Sequence, residues 1–545
     1  MQEPETTESV VSVTRSPPSD IEREPLLNSR SNYVDPDDPI VSPLNLDQIK
    51  LLRVFLVAIL GFNCLSFFLV LISDFISVPG FNNRGRSFLE LDLTILNIAT
   101  GLVTLWCFTV PAYYERILGY ISFVLLFVDL VVILSVSYLR DQQGPLGNFL
   151  LLWTLFNIGV NCFADFTVER SKAHQEIKYT GRVEKRKSIF ELFVMTVKIL
   201  VKLFLLLVVW NISLSLILQA FDSHEKPWGK MIPVNEDSFS IHLACFGDVH
   251  ANMTKNEDDS GKAKQPILLV EGGQQASSEQ FQEWIQELYH MNKIERYCIW
   301  DRPGYAFSDS APSPLSISIN IEYLMEALRK EKIEGPFCSV GFDIGGLYSK
   351  VFASRNVGQM HSMLLVDSWH EDLLKHFPFS GTNKKNENRH VFRKDFDLMD
   401  SWQGFKLWLR GLISPLGLVR NLHWFFHPRK YSSKSRIFGR DMVYSPKYLR
   451  ARLQEQVTAS ILSYNEVHTA DVSKVPLSVI SSEYMIKQSL NWGKWQRELT
   501  KISSNTLEWV VAENTNHRIW DSPKGREQLQ QLLLRLVSEK SNYLG

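Results

Sequence analysis

The sequence predicts a two-part protein, in which a bundle of about five transmembrane helices precedes an α/β domain with a helical cap. Five apolar segments of membrane-spanning length lie in the first half of the chain. In the second half, apolar strand-like runs alternate with amphipathic helical runs, which is typical of a parallel α/β sheet. An aromatic-rich stretch interrupts this alternation and predicts an inserted cap. The length of 545 residues fits more than one domain.

The apolar segments are long enough to cross a bilayer, since a spanning helix needs about 20 residues. A buried soluble core does not produce five such segments in succession. The first follows a long polar stretch, so it is not a signal peptide. The predicted spans are 51–75, 93–114, 117–139, 148–168 and 202–221, with an amphipathic run at 189–201 leading into the last.

Basic residues predict the orientation of the bundle. Cytosolic loops are enriched in Lys and Arg, and the linker after the fourth span is strongly basic. This places the linker, the short loop at Arg116 and the N-terminus in the cytosol, and five crossings then place the α/β domain in a lumen. If the fifth segment does not cross, the α/β domain is cytosolic instead. A glycosylation sequon at Asn252 fits a lumenal glycoprotein. The basic residues of the linker are Arg170, Lys172, Lys178, Arg182, Lys185, Arg186 and Lys187.

Polar residues also lie inside the predicted spans. Asp129 is in the third span, and Asn157, Asn161 and Asp165 share one face of the fourth. Ionisable groups at membrane depth are functional candidates, but interhelical hydrogen bonds are the alternative. We favour hydrogen bonding, because five spans without an internal repeat do not suggest a transporter.

The tail, residues 1–50, is polar, contains Pro and Ser, and is predicted to be disordered. Its EREPLL segment resembles an acidic dileucine sorting signal, with Glu22 four positions before the pair Leu26 and Leu27. The resemblance implies a sorting adaptor as a partner. It favours a vacuolar or other endomembrane location, with a mitochondrial membrane as the alternative.

Several function classes are disfavoured by composition. The net charge of −1 gives no reason to expect nucleic acid as a partner. The six cysteines have no metal-ligand spacing, so we expect small core residues, no disulfide framework and no metal. The pair of glycines at Gly272 lacks the further Gly and Lys of a phosphate-binding loop, and we expect no cofactor.

The most informative motif is GFDIGG at residues 341–346. It follows the strand-like run PFCSV and precedes the helix-like run LYSKVFASR. This is the strand–turn–helix setting of a nucleophile elbow, in which a sharp turn raises the nucleophile above the sheet. The common motif is G-x-S-x-G, whereas Asp343 stands at the nucleophile position here.

From about residue 240 to the C-terminus, the sequence resembles the α/β-hydrolase superfamily. The elbow GFDIGG, the turn DRPGYAFSD, the strand end VDSWHED and the histidine of NHRIW stand in the order found in that family. Most members of the branch it resembles carry Ser at the elbow. Here the domain follows a fungal-type multi-pass membrane segment. The resemblance implies a membrane bundle at 51–221, an α/β-hydrolase domain at 222–545 and a cap at about 373–474.

An aspartate at the elbow changes the expected chemistry. A carboxylate is ionised at neutral pH without help from a base, and it attacks an sp³ carbon to give an ester. Epoxide hydrolases and haloalkane dehalogenases, which the elbow resembles, use Asp in this way. The resemblance implies that Asp343 is the nucleophile and that the substrate is an epoxide or an alkyl halide. It also implies that His517 activates water to cleave the ester. A hydrolase tethered near a bilayer would suit a small lipophilic substrate.

Two further sets of groups complete the predicted site. Either Asp367 or Glu483 would orient His517, and the sequence does not choose between them. The oxyanion donors would be backbone amides of Ile344 and of the loop containing Gly273 and Gln274.

Two markers of the related enzymes are missing from this sequence. Ile344 replaces the halide-binding Trp, and the sequence EGGQ beginning at Glu271 replaces a His-Gly-x-Pro turn. The alternative function is therefore a catalytically degenerate hydrolase domain that serves as a binding or structural module of a membrane protein.

The predicted cap is aromatic-rich, especially at 405–431. We favour a packed cap core over a membrane-docking face for this stretch, although its arginines Arg410, Arg420 and Arg429 would suit a membrane surface. The cap tyrosines available to polarise an epoxide are Tyr431, Tyr444 and Tyr448.

Overall fold

The computed structural model describes residues 39–73, 88–110, 112–183, 188–250, 265–375 and 401–538. The predicted sorting signal (Glu22, Leu26 and Leu27), the Asn252 sequon and three basic linker residues, Lys185, Arg186 and Lys187, lie outside these ranges. The predictions that depend on them therefore remain predictions.

Within the described residues, five helices are long and apolar enough to cross a membrane. The fourth is bent at Gly144, which has a φ of 65° and precedes Pro145, because Pro removes a backbone donor and disfavours the helical region for the residue before it. The fifth helix begins at Ile189. It therefore includes the amphipathic run 189–201, which the sequence pattern places before the span. The helices are α1 (Asp47–Ser73), α2 (Leu89–Trp106), α3 (Tyr113–Ser135), α4 (Ser137–Thr180) and α5 (Ile189–Asp222).

The two ends of the bundle differ in what they contact. At one end, the start of α1 packs with the end of α2 and the later part of α4, and Arg116 pairs with Glu169 at 2.6 Å. At the other end, Phe88 before α2 and Asp222 at the end of α5 contact the C-terminal domain. All five helices therefore run from end to end of the bundle, and the start of α1 lies opposite the C-terminal domain.

The C-terminal domain is built on one eight-stranded sheet in the order β1-β2-β4-β3-β5-β6-β7-β8. β1 and β2 are antiparallel to their neighbours, and all other pairs are parallel. The strands are β1 (Lys230–Val234), β2 (Phe239–Phe246), β3 (Ile267–Glu271), β4 (Tyr297–Trp300), β5 (Phe337–Phe342), β6 (Met360–Val366), β7 (Leu477–Ser482) and β8 (Thr506–Ala512).

Helices cover both faces of this sheet, and a large apolar cluster lies on each face. The central strands β3, β5, β6 and β7 are buried along their whole length, as parallel strands covered on both faces are. The helices of this domain are α6 (Ser278–Phe281), α7 (Glu283–His290), α8 (Ile317–Lys330), α9 (Gly345–Arg355), α10 (Ser401–Ile413), α11 (Leu418–Phe426), α12 (Ser433–Ile437), α13 (Pro446–Thr458), α14 (Tyr464–Thr469), α15 (Glu483–Gln488), α16 (Leu490–Leu499) and α17 (Pro523–Ser538).

The strand order and the helical insertion between β6 and β7 make this an α/β-hydrolase domain. A helix-capped hydrolase domain preceded by about five membrane-spanning helices is the predicted fold class, and it is confirmed. The elbow sequence lies between β5 and α9, at the carboxyl edge of the sheet, where ligands bind in open α/β folds.

The cap helices lie between the sheet and the membrane bundle. Trp408, Leu412 and Leu416 pack against the apolar cluster of the bundle. Arg436 donates to Asp222 at the end of α5 at 2.5–3.0 Å, and Arg420 donates to the same carboxylate at 3.2 Å. The cap therefore joins the α/β half of the chain to its membrane half.

The expectation of a packed cap core is only partly right. Leu407 is buried, but the opposite side of α10 and α11 exposes a row of large apolar side chains. The alternative, in which the cap arginines lie at a membrane surface, does not hold for Arg420, because it is buried against Asp222. The exposed side chains include Phe405, Leu409, Ile413, Leu418, Leu422, Phe425 and Phe426.

The expectation that no cysteines are paired is also wrong. Cys245 and Cys298 are bonded to each other. They are direct neighbours on the antiparallel strands β2 and β4. This register was not visible in the sequence, where the two residues are 53 positions apart.

Asp129 accepts a hydrogen bond of 2.8 Å from Ser213 on α5, as expected for interhelical bonding. A larger cluster was missed in the sequence. Lys198 on α5 lies 2.6 Å from Glu115 and 3.5 Å from Asp165, and Lys202 lies 3.3 Å from Glu115. These buried opposite charges compensate one another and tie α3, α4 and α5 together.

Candidate active site

Asp343 sits at the turn between β5 and α9, where the sequence predicts the nucleophile. It has a φ of 57°, in the left-handed region, and its side chain is almost fully buried. A Cβ at Gly341 would press on the backbone of Gly345 and Gly346, and one at Gly346 would collide with Ser368. The glycines of GFDIGG therefore permit the close packing that this sharp turn requires.

The two oxygens of the Asp343 carboxylate have different environments. Oδ2 accepts a hydrogen bond of 2.7 Å from the backbone amide of Gln274. Oδ1 has no hydrogen-bond partner among the described residues, and it lies 3.5 Å from Nε2 of His517. One oxygen is therefore held in place while the other keeps its lone pairs available for attack.

Two of the three predicted oxyanion residues directly adjoin the carboxylate. Gln274 supplies the amide just described, and a Cβ at Gly273 would lie 2.9 Å from Cβ of Asp343. Ile344 follows Asp343 in the chain and caps α9, with its side chain in the apolar core. The loop after β3 and the start of α9 thus meet around the Asp343 carboxylate.

His517 lies in the loop after β8, between two carboxylates. Its Nδ1 is 2.8 Å from Oδ2 of Asp367, and its Nε2 faces Asp343. The ring packs on Phe342 with a centroid distance of 4.6 Å. Burial lowers the pKa of His517, but the side-chain contacts and negative charges of Asp343 and Asp367 outweigh burial and raise that pKa to about 9. The ring is therefore an imidazolium at neutral pH.

Asp367 is the carboxylate that contacts His517. It is fully buried at the end of β6. Besides His517, it accepts hydrogen bonds from the amide and hydroxyl of Ser482 at 3.2 and 2.8 Å, and from the Trp492 indole at 2.8 Å. These donors compensate its buried charge and fix its position.

Glu483, the other candidate, does not contact the His517 ring in this structure. Its carboxylate accepts a hydrogen bond of 2.7 Å from the backbone amide of Asn514 and pairs with Lys487. It therefore holds the loop that leads to His517. Both predicted carboxylates follow strand ends, and only the fold distinguishes their roles.

Sequence reasoning missed the groups that hold the oxyanion loop. Arg302 donates to the carbonyls of Gly272 and Gly273 at 3.3 and 2.7 Å. Tyr448 of the cap, predicted as a possible epoxide contact, donates to the carbonyl of Gln274 at 2.8 Å. Arg302 belongs to the DRPGYAFSD turn, but no pattern in the sequence indicates which groups its side chain binds.

Glu271, which replaces the family histidine, is buried at the end of β3 and accepts a hydrogen bond of 2.5 Å from Trp300. Burial raises its pKa to about 8, and Trp300 and Arg302 only partly offset that effect. The Glu271 carboxyl is therefore mostly protonated at neutral pH. It adds little negative charge beside Asp343.

Comparison with known proteins shows relatives over most of the chain. A family model described as a region of unknown function, DUF2417, matches residues 22–245. A Saccharomyces cerevisiae protein described as an uncharacterized vacuolar membrane protein is 33% identical, covering 86% of this chain and 84% of its own length. An uncharacterized Schizosaccharomyces pombe protein is 24% identical, covering 86% of this chain and 87% of its own length.

Solved structures are similar to somewhat more than half of this chain. The haloalkane dehalogenase DatA from Agrobacterium tumefaciens is 13% identical, covers 57% of this chain and 97% of its own, and gives a TM-score of 0.39. An epoxide hydrolase variant from Pseudomonas aeruginosa, described as putative, is 15% identical, covers 55% of this chain and 93% of its own, and gives a TM-score of 0.36. At these values the similarity carries no argument about activity.

Proposed function

We propose that this chain, which belongs to the same family as the Saccharomyces cerevisiae vacuolar membrane protein, is a vacuolar membrane hydrolase with Asp343 as its nucleophile. One observation carries the proposal. One carboxylate oxygen of Asp343 accepts a hydrogen bond from the Gln274 amide, and the other faces Nε2 of His517. Asp367 contacts the opposite ring nitrogen, Nδ1, and so orients the His517 ring. This arrangement suits attack on an sp³ carbon followed by hydrolysis of the resulting ester.

For an epoxide, the first step is attack of Asp343 Oδ1 on a ring carbon. The C–O bond of the ring breaks, and the alkoxide takes the proton from Nε2 of the His517 imidazolium. The product is a hydroxyalkyl ester of Asp343. With an alkyl halide, the halide leaves instead and no proton is needed.

Ester formation also prepares His517 for the second step. It removes the negative charge of Asp343, which is one of the two groups that raise the pKa of His517. With an epoxide, His517 is already neutral after the first step; with an alkyl halide, the imidazolium first releases its proton to solvent as its pKa falls. The neutral ring then accepts a proton from water as the water attacks the ester carbonyl. The Gln274 amide is placed to stabilise the oxyanion. The bond between the ester carbonyl carbon and the alkyl oxygen then breaks, and the departing alkoxide takes the proton held by His517, which releases a diol or an alcohol. The acid left on Asp343 passes its proton back to His517, which restores the carboxylate.

A lipophilic substrate is supported by the cap. A cavity of about 470 Å³ lies between cap helices, and apolar side chains line it together with Tyr444, Ser414 and three arginines, Arg410, Arg420 and Arg452. It reaches Gln275, which directly follows the residue that binds Asp343. The exposed apolar row of α10 and α11 lies on the same cap, which packs on the membrane bundle. A molecule partitioned into the bilayer would have a short route to this cavity.

The proposed location is the vacuolar membrane, with the hydrolase domain in the lumen. The relative's description supports the organelle. The end of the bundle opposite the hydrolase domain carries Arg116, Arg170 and Lys172, which favours a cytosolic position for that end. The Cys245–Cys298 disulfide suits an oxidising compartment. A sorting adaptor would bind the tail at Glu22, Leu26 and Leu27.

The test of the proposed function is turnover by the purified full-length protein. We expect a panel of lipophilic epoxides and alkyl halides to include a substrate, and Asp343→Asn to abolish its conversion. Asp521→Asn, an exposed change of the same kind, should retain activity. An esterase panel run in parallel should give no Asp343-dependent turnover. If no electrophile is converted and cell function survives Asp343→Ala, the degenerate binding module is the better description.

Protease protection tests the proposed topology. In sealed vacuoles we expect the hydrolase domain to resist added protease and to be digested only after detergent is added, because the bilayer shields it. Cleavage in the basic linker between α4 and α5, which is proposed to be cytosolic, is the internal control. Digestion of the hydrolase domain without detergent would overturn the lumenal assignment.

A further inference from the structure

A second group of ionisable side chains lies behind the oxyanion loop. It consists of His242 on β2, Glu279 on α6 and Asp301 at the end of β4, and all three are buried. Nδ1 of His242 is 2.8 Å from Oδ2 of Asp301 and 3.4 Å from Oε1 of Glu279. One donor atom from each residue lies within 4.8 Å of the other two.

The carboxylates of this cluster are short of partners. Neither oxygen of Glu279 has a hydrogen-bond partner among the described residues, and the same holds for Oδ1 of Asp301. Buried polar atoms almost always have a partner, and a buried unpartnered carboxylate oxygen is costly. Oδ2 of Asp301 also accepts a hydrogen bond of 3.3 Å from the backbone amide of Phe307, but His242 is the only basic side chain that the ion pairs of the described residues place against the two carboxylates.

The orientation of His242 is the one expected of a metal ligand. Its Nε2 contacts the backbone carbonyl of Trp228, which can only accept, so Nε2 carries a proton. Burial lowers the pKa of His242, but Asp301 and Glu279 outweigh burial and raise that pKa to about 10. A bound cation would therefore take the place of the proton on Nδ1, which faces both carboxylates. Metal-binding histidines commonly donate their other ring N–H to a carbonyl in this way. The ring of Phe307, with its centroid 5.2 Å from that of His242, covers one side.

We propose that His242, Glu279 and Asp301 bind one divalent transition-metal ion, with Zn²⁺ or Mn²⁺ as the preferred class. Imidazole and carboxylate ligands suit these ions. Ligands about 2.0–2.2 Å from a zinc ion lie about 3–3.5 Å from one another, close to the observed separations of 2.8 and 3.4 Å. Two carboxylates and a neutral imidazole balance the charge of the ion.

The site would act through the oxyanion loop and not on the substrate. Ser278, next to Glu279, accepts a hydrogen bond of 3.1 Å from the Gly272 amide and donates one of 2.7 Å to the Trp300 carbonyl. Arg302, next to Asp301, binds the carbonyls of the same loop. A bound ion would therefore fix the two segments that position the Gln274 amide against Asp343.

The test is metal binding by the full-length protein, purified in detergent without a polyhistidine tag. After treatment with a chelator, we expect Zn²⁺ or Mn²⁺ to rebind at about one equivalent per chain and to raise the melting temperature in a concentration-dependent manner. Co²⁺ bound by protein ligands should give an absorption band in the visible range. This measurement uses the unaltered protein and needs no variant. Absence of both stoichiometric binding and the Co²⁺ band would overturn the proposal.

The variant Glu279→Gln distinguishes two interpretations of this cluster: a metal-binding site, and a network of side chains that share a proton. We expect this variant to lose the bound ion and the metal-dependent rise in melting temperature, because a ligand charge is gone. Glu283→Gln, an exposed change on the neighbouring helix, should keep both. Two results would contradict the proposal: metal binding by Glu279→Gln equal to that of the unaltered protein, or failure of the unaltered protein to bind metal at all. In either case the cluster is a proton-sharing network.

Discussion

Replacing His517 with Gln should trap the substrate on Asp343. Nucleophilic attack uses the free oxygen of Asp343, whereas hydrolysis of the ester needs His517 to take a proton from water. Loss of a general base costs typically about 10²–10⁴-fold in rate, so we expect the ester to accumulate. Alkyl halides are the sharper probe, because their attack step needs no proton from His517.

Intact-protein mass spectrometry measures this outcome directly. An epoxide should add its full mass to the chain, and an alkyl halide should add its mass less that of hydrogen halide. Peptide mapping should place the adduct on Asp343. The double variant Asp343→Asn with His517→Gln is the matched control and should carry none. An adduct found at another residue, or none across a broad panel of halides and epoxides, would contradict the mechanism.

Replacing Asp222 with Ala should detach the cap from the membrane bundle. Asp222 receives hydrogen bonds from both Arg420 and Arg436, and all three side chains are at most 10% exposed. Its removal leaves two guanidinium groups buried near each other without their counter-charge. Breaking a buried ion pair by removing one partner costs about 3–5 kcal/mol, and two arginines share this partner. We therefore expect a large fall in melting temperature in detergent.

Two variants check this interpretation. Asp222→Asn keeps a hydrogen-bond acceptor but loses the negative charge. Its melting temperature should therefore lie between that of Asp222→Ala and that of the unaltered protein. Asp141→Ala removes an exposed acid near the start of α4 and should change stability by less than about 0.5 kcal/mol. A melting temperature for Asp222→Ala equal to that of Asp141→Ala would show that the cap is held by its apolar contacts alone.

Local patterns in the sequence predict much of the fold. The five spans are visible because a bilayer imposes a minimum apolar length on each helix. The elbow is visible because its glycines and strand–turn–helix setting are contiguous. His517 is identified by its place after the last strand. These features depend on neighbours in the chain, so the sequence carries them directly.

Features that depend on register across the sheet could not be read in advance. The choice of Asp367 over Glu483 depends on which strand end faces the loop of His517. The Cys245–Cys298 bond depends on the pairing of β2 with β4. The expectation of no metal rested on cysteine spacing alone. It did not consider His242, Glu279 and Asp301, because only the folded chain brings these three residues together.

The sequence by itself determined that this protein has a membrane-spanning half and an α/β half, and that a carboxylate stands at the nucleophile turn. Spans, strand–helix alternation and turn motifs are set by short-range periodicity and local sterics. Only the tertiary structure decided which groups surround Asp343 and His517, and how Asp222 binds the cap to the bundle. Those contacts join residues that are far apart in the chain, and packing of the whole sheet and bundle is what brings them within hydrogen-bonding distance.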